Sequence, residues 1–176
     1  MPSALAASAK DFTDVPPKAW SYGAVDYVAE HGYFNGTDVG KFSPDKPMTR
    51  GMFVTVLARV DGVEGNDQAN PFEDVPSGMW YSGAVAWAAE RGIVLGVGDN
   101  RFAPERQVSR QEMAAFIARY LTYYMKEHGV TFQATGTAPA FKDADKIADY
   151  AVEAVELCRT YGLVYGEVKA TRLRLA

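Results

Sequence analysis

A single cysteine, Cys158, in 176 residues rules out an intramolecular disulfide and a cysteine-built metal cage. Cys158 falls on the apolar face of an expected helix, where a free thiol packs as a small hydrophobe. Histidine is nearly as scarce. His31 and His128 lie far apart near expected helix ends, a placement that suits the helix dipole better than metal binding or catalysis. No run of about 20 apolar residues is present, so no membrane insertion is expected. There is no excess of positive charge either: the formal net charge is −4 and the pI about 5.2, which speaks against a nucleic-acid partner. An anionic ligand would have to be held by a local site, since the overall field repels it. Paired carboxylates occur at Asp143/Asp145 and Glu153/Glu156, but neither pair recurs beside a nucleophile, base or metal ligand. No catalytic residue, metal or cofactor is therefore expected.

What the chain does have is apolar content, 48%, enough for a buried core, and a strong internal repeat. Displaced by sixty residues, Phe12–Val60 aligns with Phe72–Tyr120 without a gap, and about a third of the positions are identical. The matches include Phe12/Phe72, Asp14/Asp74, Trp20/Trp80, Gly32/Gly92, Gly36/Gly96, Phe42/Phe102 and Arg50/Arg110. A third copy starts at Phe141 and follows the pattern as far as Gly162 and Gly166, after which only Thr171-Arg172 echoes Thr49-Arg50. The expected organisation is a leader or signal remnant over residues 1–11, whose Ala-rich end reads equally as a cleavage site or a flexible lead. Repeats over 12–62 and 72–128 follow, then a partial repeat over 141–176.

Each full repeat reads as two helices and a turn-rich loop. The first helix is expected from about Trp20 to His31, with Ala24, Val25, Val28 and Ala29 as its apolar stripe and Gly32 as a left-handed stop. The second begins at Thr49 or Ser109, both good N-caps. Ser109-Arg110-Gln111-Glu112 has the form of a capping box. The fold class is all-α: helix-loop-helix repeats with five helices, the third repeat keeping only its first.

The order Phe-x-Asp-Val-Pro, Trp, Gly-Ala-Val, Gly-x-x-x-Gly, Phe-x-Pro, Thr/Ser-Arg resembles the S-layer homology repeat. The final element corresponds to that family's Thr-Arg-Ala-Glu signature, with Glu112 kept in the second copy and Met52 in its place in the first. The resemblance implies repeats around a pseudo-threefold axis, first helices central and second helices peripheral. It also implies a cell-wall or S-layer location outside the cell. Grooves between repeats would bind secondary cell-wall polysaccharide, often a pyruvylated amino-sugar polymer. A structural, self-assembling protein-binding module and a peptidoglycan tether beneath an outer envelope are the alternatives.

Residue chemistry agrees with a carboxylate-bearing sugar. Arg50 and Arg110, expected exposed in a first helical turn beside Thr49 and Ser109, offer a permanently charged fork at the positive dipole end; otherwise they pair at the surface with Asp14 or Asp74. Trp20 and Trp80 would stack on a sugar ring or anchor the core. Asp14 and Asp74 would satisfy loop amides or accept from sugar hydroxyls. Gly36 and Gly96 would admit a ligand to the backbone or simply allow a turn. Because the third repeat lacks an outer helix, Leu157, Leu163 and Val164 are expected to be partly uncovered, favouring self-association or completion by a C-terminal segment.

Overall fold

A computed structural model describes residues 7–63, 69–135, 139–166 and 173–175. Five α-helices carry these residues: α1 Tyr22–Glu30, α2 Arg50–Val60, α3 Ser82–Glu90, α4 Arg110–His128 and α5 Val152–Thr160. Short 3-10 turns cover Ala9–Asp11, Ala144–Lys146 and Asp149–Ala151. The fold is helical, as the repeat pattern predicts. A small antiparallel hairpin, β1 (Val164–Gly166) with β2 (Leu173–Leu175), closes the third sector.

The helix boundaries follow from local chemistry. Thr49 and Ser109 cap α2 and α4 by accepting from the amides of Met52 and Glu112. Glu112 returns the bond to the Ser109 amide, completing the capping box. Gly32, Gly92 and Gly162 follow α1, α3 and α5 at φ +68°, +66° and +67°, a conformation that stops each helix at little cost only because glycine lacks a Cβ. The two second helices differ in length, 11 residues against 19. Gly62 takes a left-handed φ just past α2, whereas α4 meets no glycine until Gly129.

Packing is staggered by one repeat. α2 lies against α3 of the following repeat, and α4 against α5. The main core therefore joins Phe53, Val54 and Leu57 of α2 to Val85 and Trp87 of α3, Ile93 and Phe102 beyond it, and Phe116 of α4. Each fully buried large apolar side chain contributes about 1.5–3 kcal/mol. The start of α2 is also docked on the second repeat's loop: the amides of Arg50 and Gly51 donate to Arg106 O and Pro104 O at 2.9 and 2.8 Å. Trp87, 4% exposed, packs in the main core, and Cys158 lies in the α4–α5 core with its Sγ donating to Ala114 O.

Two regions depart in part from expectation. Residues 7–9 pack against α1 rather than lying loose. Ala9 is fully buried in the core of α1 with Phe12 and Val25, and its amide donates to Asp26 Oδ1 at 2.8 Å; residues 1–6 lie outside the described set. In the third sector Val164 is fully buried, contrary to expectation, whereas Leu157 and Leu163 are partly buried against the α4–α5 core, as expected. α5 contacts β1 and α4 contacts β2. Thr171-Arg172 lies outside the described residues.

Candidate functional site

Two grooves lie at the seams between repeats, and they are the same groove seen twice. The first, about 410 Å³, is lined by Gly36, Thr37, Met52, Thr55, Arg59 and Trp80, with neighbours from the same elements. The second, about 280 Å³, is lined by Gly96, Val97, Glu112, Ala115, Arg119 and Tyr150, with Arg50 at its wall. The loop and helix members are related by the sixty-residue period, and Trp80 and Tyr150 hold the same place at the head of the next repeat. Each groove therefore brings together a loop glycine and a second-helix arginine from one repeat and an aromatic ring from the next.

The aspartates build the loops behind these grooves. Asp14 accepts from the amides of Phe42 and Ser43 at 2.9 and 2.8 Å, and Asp74 from Phe102 and Ala103 at 2.7 and 2.8 Å. Ser43 and Ala103 both hold positive φ, 60° and 57°, so each carboxylate secures a left-handed turn that the bare chain disfavours. The Phe42 amide leads in holding Asp14 below the ordinary carboxylate range. For Asp74, burial pushes upward, but the Phe102 and Ala103 amides and Arg101 outweigh it. Both carboxylates are thus engaged by their own loops.

The glycines are tight points in those same loops. A Cβ on Gly36, at φ +80°, would come within 2.5 Å of Lys41 O and 2.8 Å of the Phe12 ring. On Gly96 it would meet Arg101 O at 2.8 Å and the Phe72 ring at 3.1 Å. The turn requires glycine at both positions, whatever else the groove uses them for. Thr49 and Ser109 spend their hydroxyl oxygens on helix caps.

Arg50 departs most from expectation. It is not an exposed first-turn cation but is 2% exposed, and it reaches across the seam into the second repeat. Its Nε donates to Phe102 O at 2.8 Å, Nη1 to Glu112 Oε1 at 2.7 Å and Nη2 to Leu95 O at 3.0 Å. The guanidinium lies between the rings of Phe102 and Phe116, 4.5 and 5.0 Å from their centroids. Burial lowers its pKa, although Glu112 works the other way. Glu112 also receives Arg106 Nη2. Burial would raise the Glu112 pKa, but the Ser109 amide and Arg106 outweigh it and hold the carboxyl below its usual value. The partner is Glu112, then, and neither Asp14 nor Asp74. Arg110 heads α4, partly buried, and lines none of the grooves described here. Trp80 stands in the first groove, half-exposed, edge-on to Tyr81. Trp20, 91% exposed, belongs to neither groove.

The residues that the sequence reading passed over are Arg59, Arg119 and Tyr150. Both arginines are half-buried, and burial depresses the pKa of each. Neither has a carboxylate within ion-pair distance among the described residues, although Arg59 donates weakly to Tyr33 O at 3.4 Å. The signal was in the repeat itself, where Ala58-Arg59 returns as Ala118-Arg119. A half-buried guanidinium without a counter-charge is costly to maintain and well suited to an incoming anion.

Comparison with known proteins agrees with this architecture. The S-layer homology domain profile matches residues 11–51, 71–114 and 140–170, so the chain belongs to that family. It is 30% identical over 145 residues to an S-layer protein of Bacillus thuringiensis subsp. finitimus, covering 82% of this chain and 17% of that one. An endoglucanase of Bacillus sp. (strain KSM-635) is 29% identical over 155 residues, and an amylopullulanase of Thermoanaerobacterium thermosulfurigenes 30% over 162. These alignments cover 88% and 90% of this chain but 16% and 8% of the two enzymes. The chain thus spans less than a fifth of the length of these relatives. Among the described residues no helix is long and apolar enough to cross a membrane.

Proposed function

We propose that the chain is a noncovalent cell-wall anchoring module that holds a secondary cell-wall polysaccharide, a pyruvylated amino-sugar polymer, in its inter-repeat grooves. The observation that carries this reading is the recurrence of one constellation at both seams: Arg59 with Trp80, and Arg119 with Tyr150. An arginine fork suits a carboxylate bidentately, and a flat ring beside it suits the apolar face of a sugar. The relatives fit an anchoring role, because an S-layer protein, an endoglucanase and an amylopullulanase share this segment, which is less than a fifth of each. No catalytic role is assigned to it.

Calorimetry with a synthetic pyruvate-ketal amino-sugar monosaccharide, and with the same sugar lacking the ketal, tests this reading. Binding of the first alone, lost in the Arg59→Gln/Arg119→Gln double variant at an unchanged melting temperature, is the expected result. Equal binding of both sugars, or binding that survives the double variant, overturns it.

A further inference from the structure

The groove at the second seam does not end where its counterpart does. It shares Ala115, Arg119 and Tyr150 with a larger compartment of about 540 Å³, so the two form one continuous trough along α4. The extension exists because α4 runs eight residues beyond Tyr120, the position at which α2 stops at Val60. Arg119, Thr122, Tyr123 and Lys126 recur at spacings of three and four and so share one face of that extension. α5 forms the facing wall, with Tyr150 and Glu153, and Arg91 closes the end of α3.

The compartment is cationic. Arg91, Arg119 and Lys126 line it against the single carboxylate of Glu153. Arg91 is held in place by Tyr123 Oη at 3.2 Å and by Glu90 at 2.6 Å, and it lies over the Trp87 and Tyr123 rings. Lys126 is exposed and has no ion pair among the described residues. Alone it would be an ordinary last-turn cation favoured by the helix dipole. Its place in the same trough as Arg119, about 10 Å further along the helix axis, gives it a further use. In the first repeat α2 ends at Val60 and His31 stands at the position of Arg91, so α2 offers no such cationic face beyond its groove, where Lys46 of the loop is the second cation beside Arg59.

We propose that this compartment is a second subsite. It takes an anionic substituent, carboxylate or phosphate, on the next unit of the polymer whose charged terminal sugar enters beside Arg119. The inference rests on the groove reading given above and adds a selectivity: the second seam reads two units, the first seam one.

The test is made in the Arg59→Gln background, which leaves the second groove as the binding site. Affinities are measured for the pyruvate-ketal monosaccharide and for three disaccharides that carry it on a neutral, a carboxylated or a phosphorylated inner unit. An anionic inner unit is expected to tighten binding about three- to fivefold, the size of a partly screened charge pair. Lys126→Gln should abolish that gain and Lys126→Glu reverse it, while monosaccharide affinity stays constant. Which disaccharide gains identifies the anion. If no inner anion tightens binding, or if the gain survives both Lys126 variants, the subsite is refuted while Arg119-dependent monosaccharide binding leaves the first reading standing. A Lys126-dependent disaccharide signal without monosaccharide binding supports the subsite and removes the pyruvate reading. Silence toward all four sugars removes both.

Discussion

Replacing Arg50 should damage folding before it damages binding. The side chain satisfies three acceptors across the seam, Phe102 O, Leu95 O and Glu112, and fills the space between two aromatic rings. Arg50→Ala leaves both carbonyls without these donors and removes one of the two cations on Glu112. Breaking a buried pair by deleting one partner costs about 3–5 kcal/mol. Arg106 still holds Glu112, so the lower end applies, about 3 kcal/mol. For a domain of this size each kcal/mol lowers the melting temperature by about 2–4 °C, giving a fall of about 6–12 °C. Arg50→Met keeps most of the apolar stem and should recover the part due to packing. Adding Glu112→Gln to Arg50→Met should cost less than the sum of the two single changes, because the carboxylate no longer needs neutralising. Arg50→Lys should not rescue, since a point charge cannot serve three acceptors set at guanidinium angles. Thermal melts followed at 222 nm read all of these. An Arg50→Ala protein melting within 1 °C of the parent would refute the account of the seam.

Acid should loosen the same junction. Glu112 has a folded pKa below its ordinary 4.5, so its contribution is complete above that value and is lost as pH falls through the folded value; melting temperature should decline below about pH 4.5, less steeply in Glu112→Gln. Arg59→Gln and Arg119→Gln should each cost their own groove about ten- to hundredfold in affinity, the size of a lost charge-assisted pair, with melts unchanged. Gly36→Ala should destabilise more than Gly96→Ala, because its Cβ meets a backbone oxygen closer and its φ is positive as well. Cys158, buried with its pKa pushed up to about 11, should resist iodoacetamide at neutral pH in the folded protein and react once denaturant opens the α4–α5 core, as mass spectrometry would show.

Most of the secondary structure was legible because its signals are local. Thr49 and Ser109 mark helix starts, and Gly32, Gly92 and Gly162 mark stops, through hydrogen bonds and dihedrals spanning a few residues. The hairpin at Val164–Gly166 was not legible. Three residues are too few for an alternating pattern, and the partner strand, Leu173–Leu175, lies beyond an intervening segment. Ala9 was left ambiguous for a related reason. An Ala-rich start reads the same whether it is loose or packed, and only its long-range contacts with α1 distinguish the two.

The site was harder to read because the repeats interlock with a one-repeat offset. A motif copied every sixty residues suggests that each copy builds its own site from its own parts. Here α2 packs on α3 and α4 on α5, so each seam is assembled from two repeats. Arg50, whose position in the signature drew attention, is carried by that offset into the second repeat and neutralised by Glu112. Arg59, nine residues later on the same helix, has no ion pair among the described residues and faces the groove of its own repeat. Glu112 makes the distinction explicit, since the signature keeps it in the second copy, where the first copy's arginine arrives. In a staggered repeat, then, a signature arginine with a carboxylate one period away belongs to the seam, and the arginine without one is left for the ligand. That rule ranks Arg59 and Arg119 above Arg50 as polymer contacts, and comparing the charge-neutral variants at these three positions, melt against affinity, puts it to the test directly.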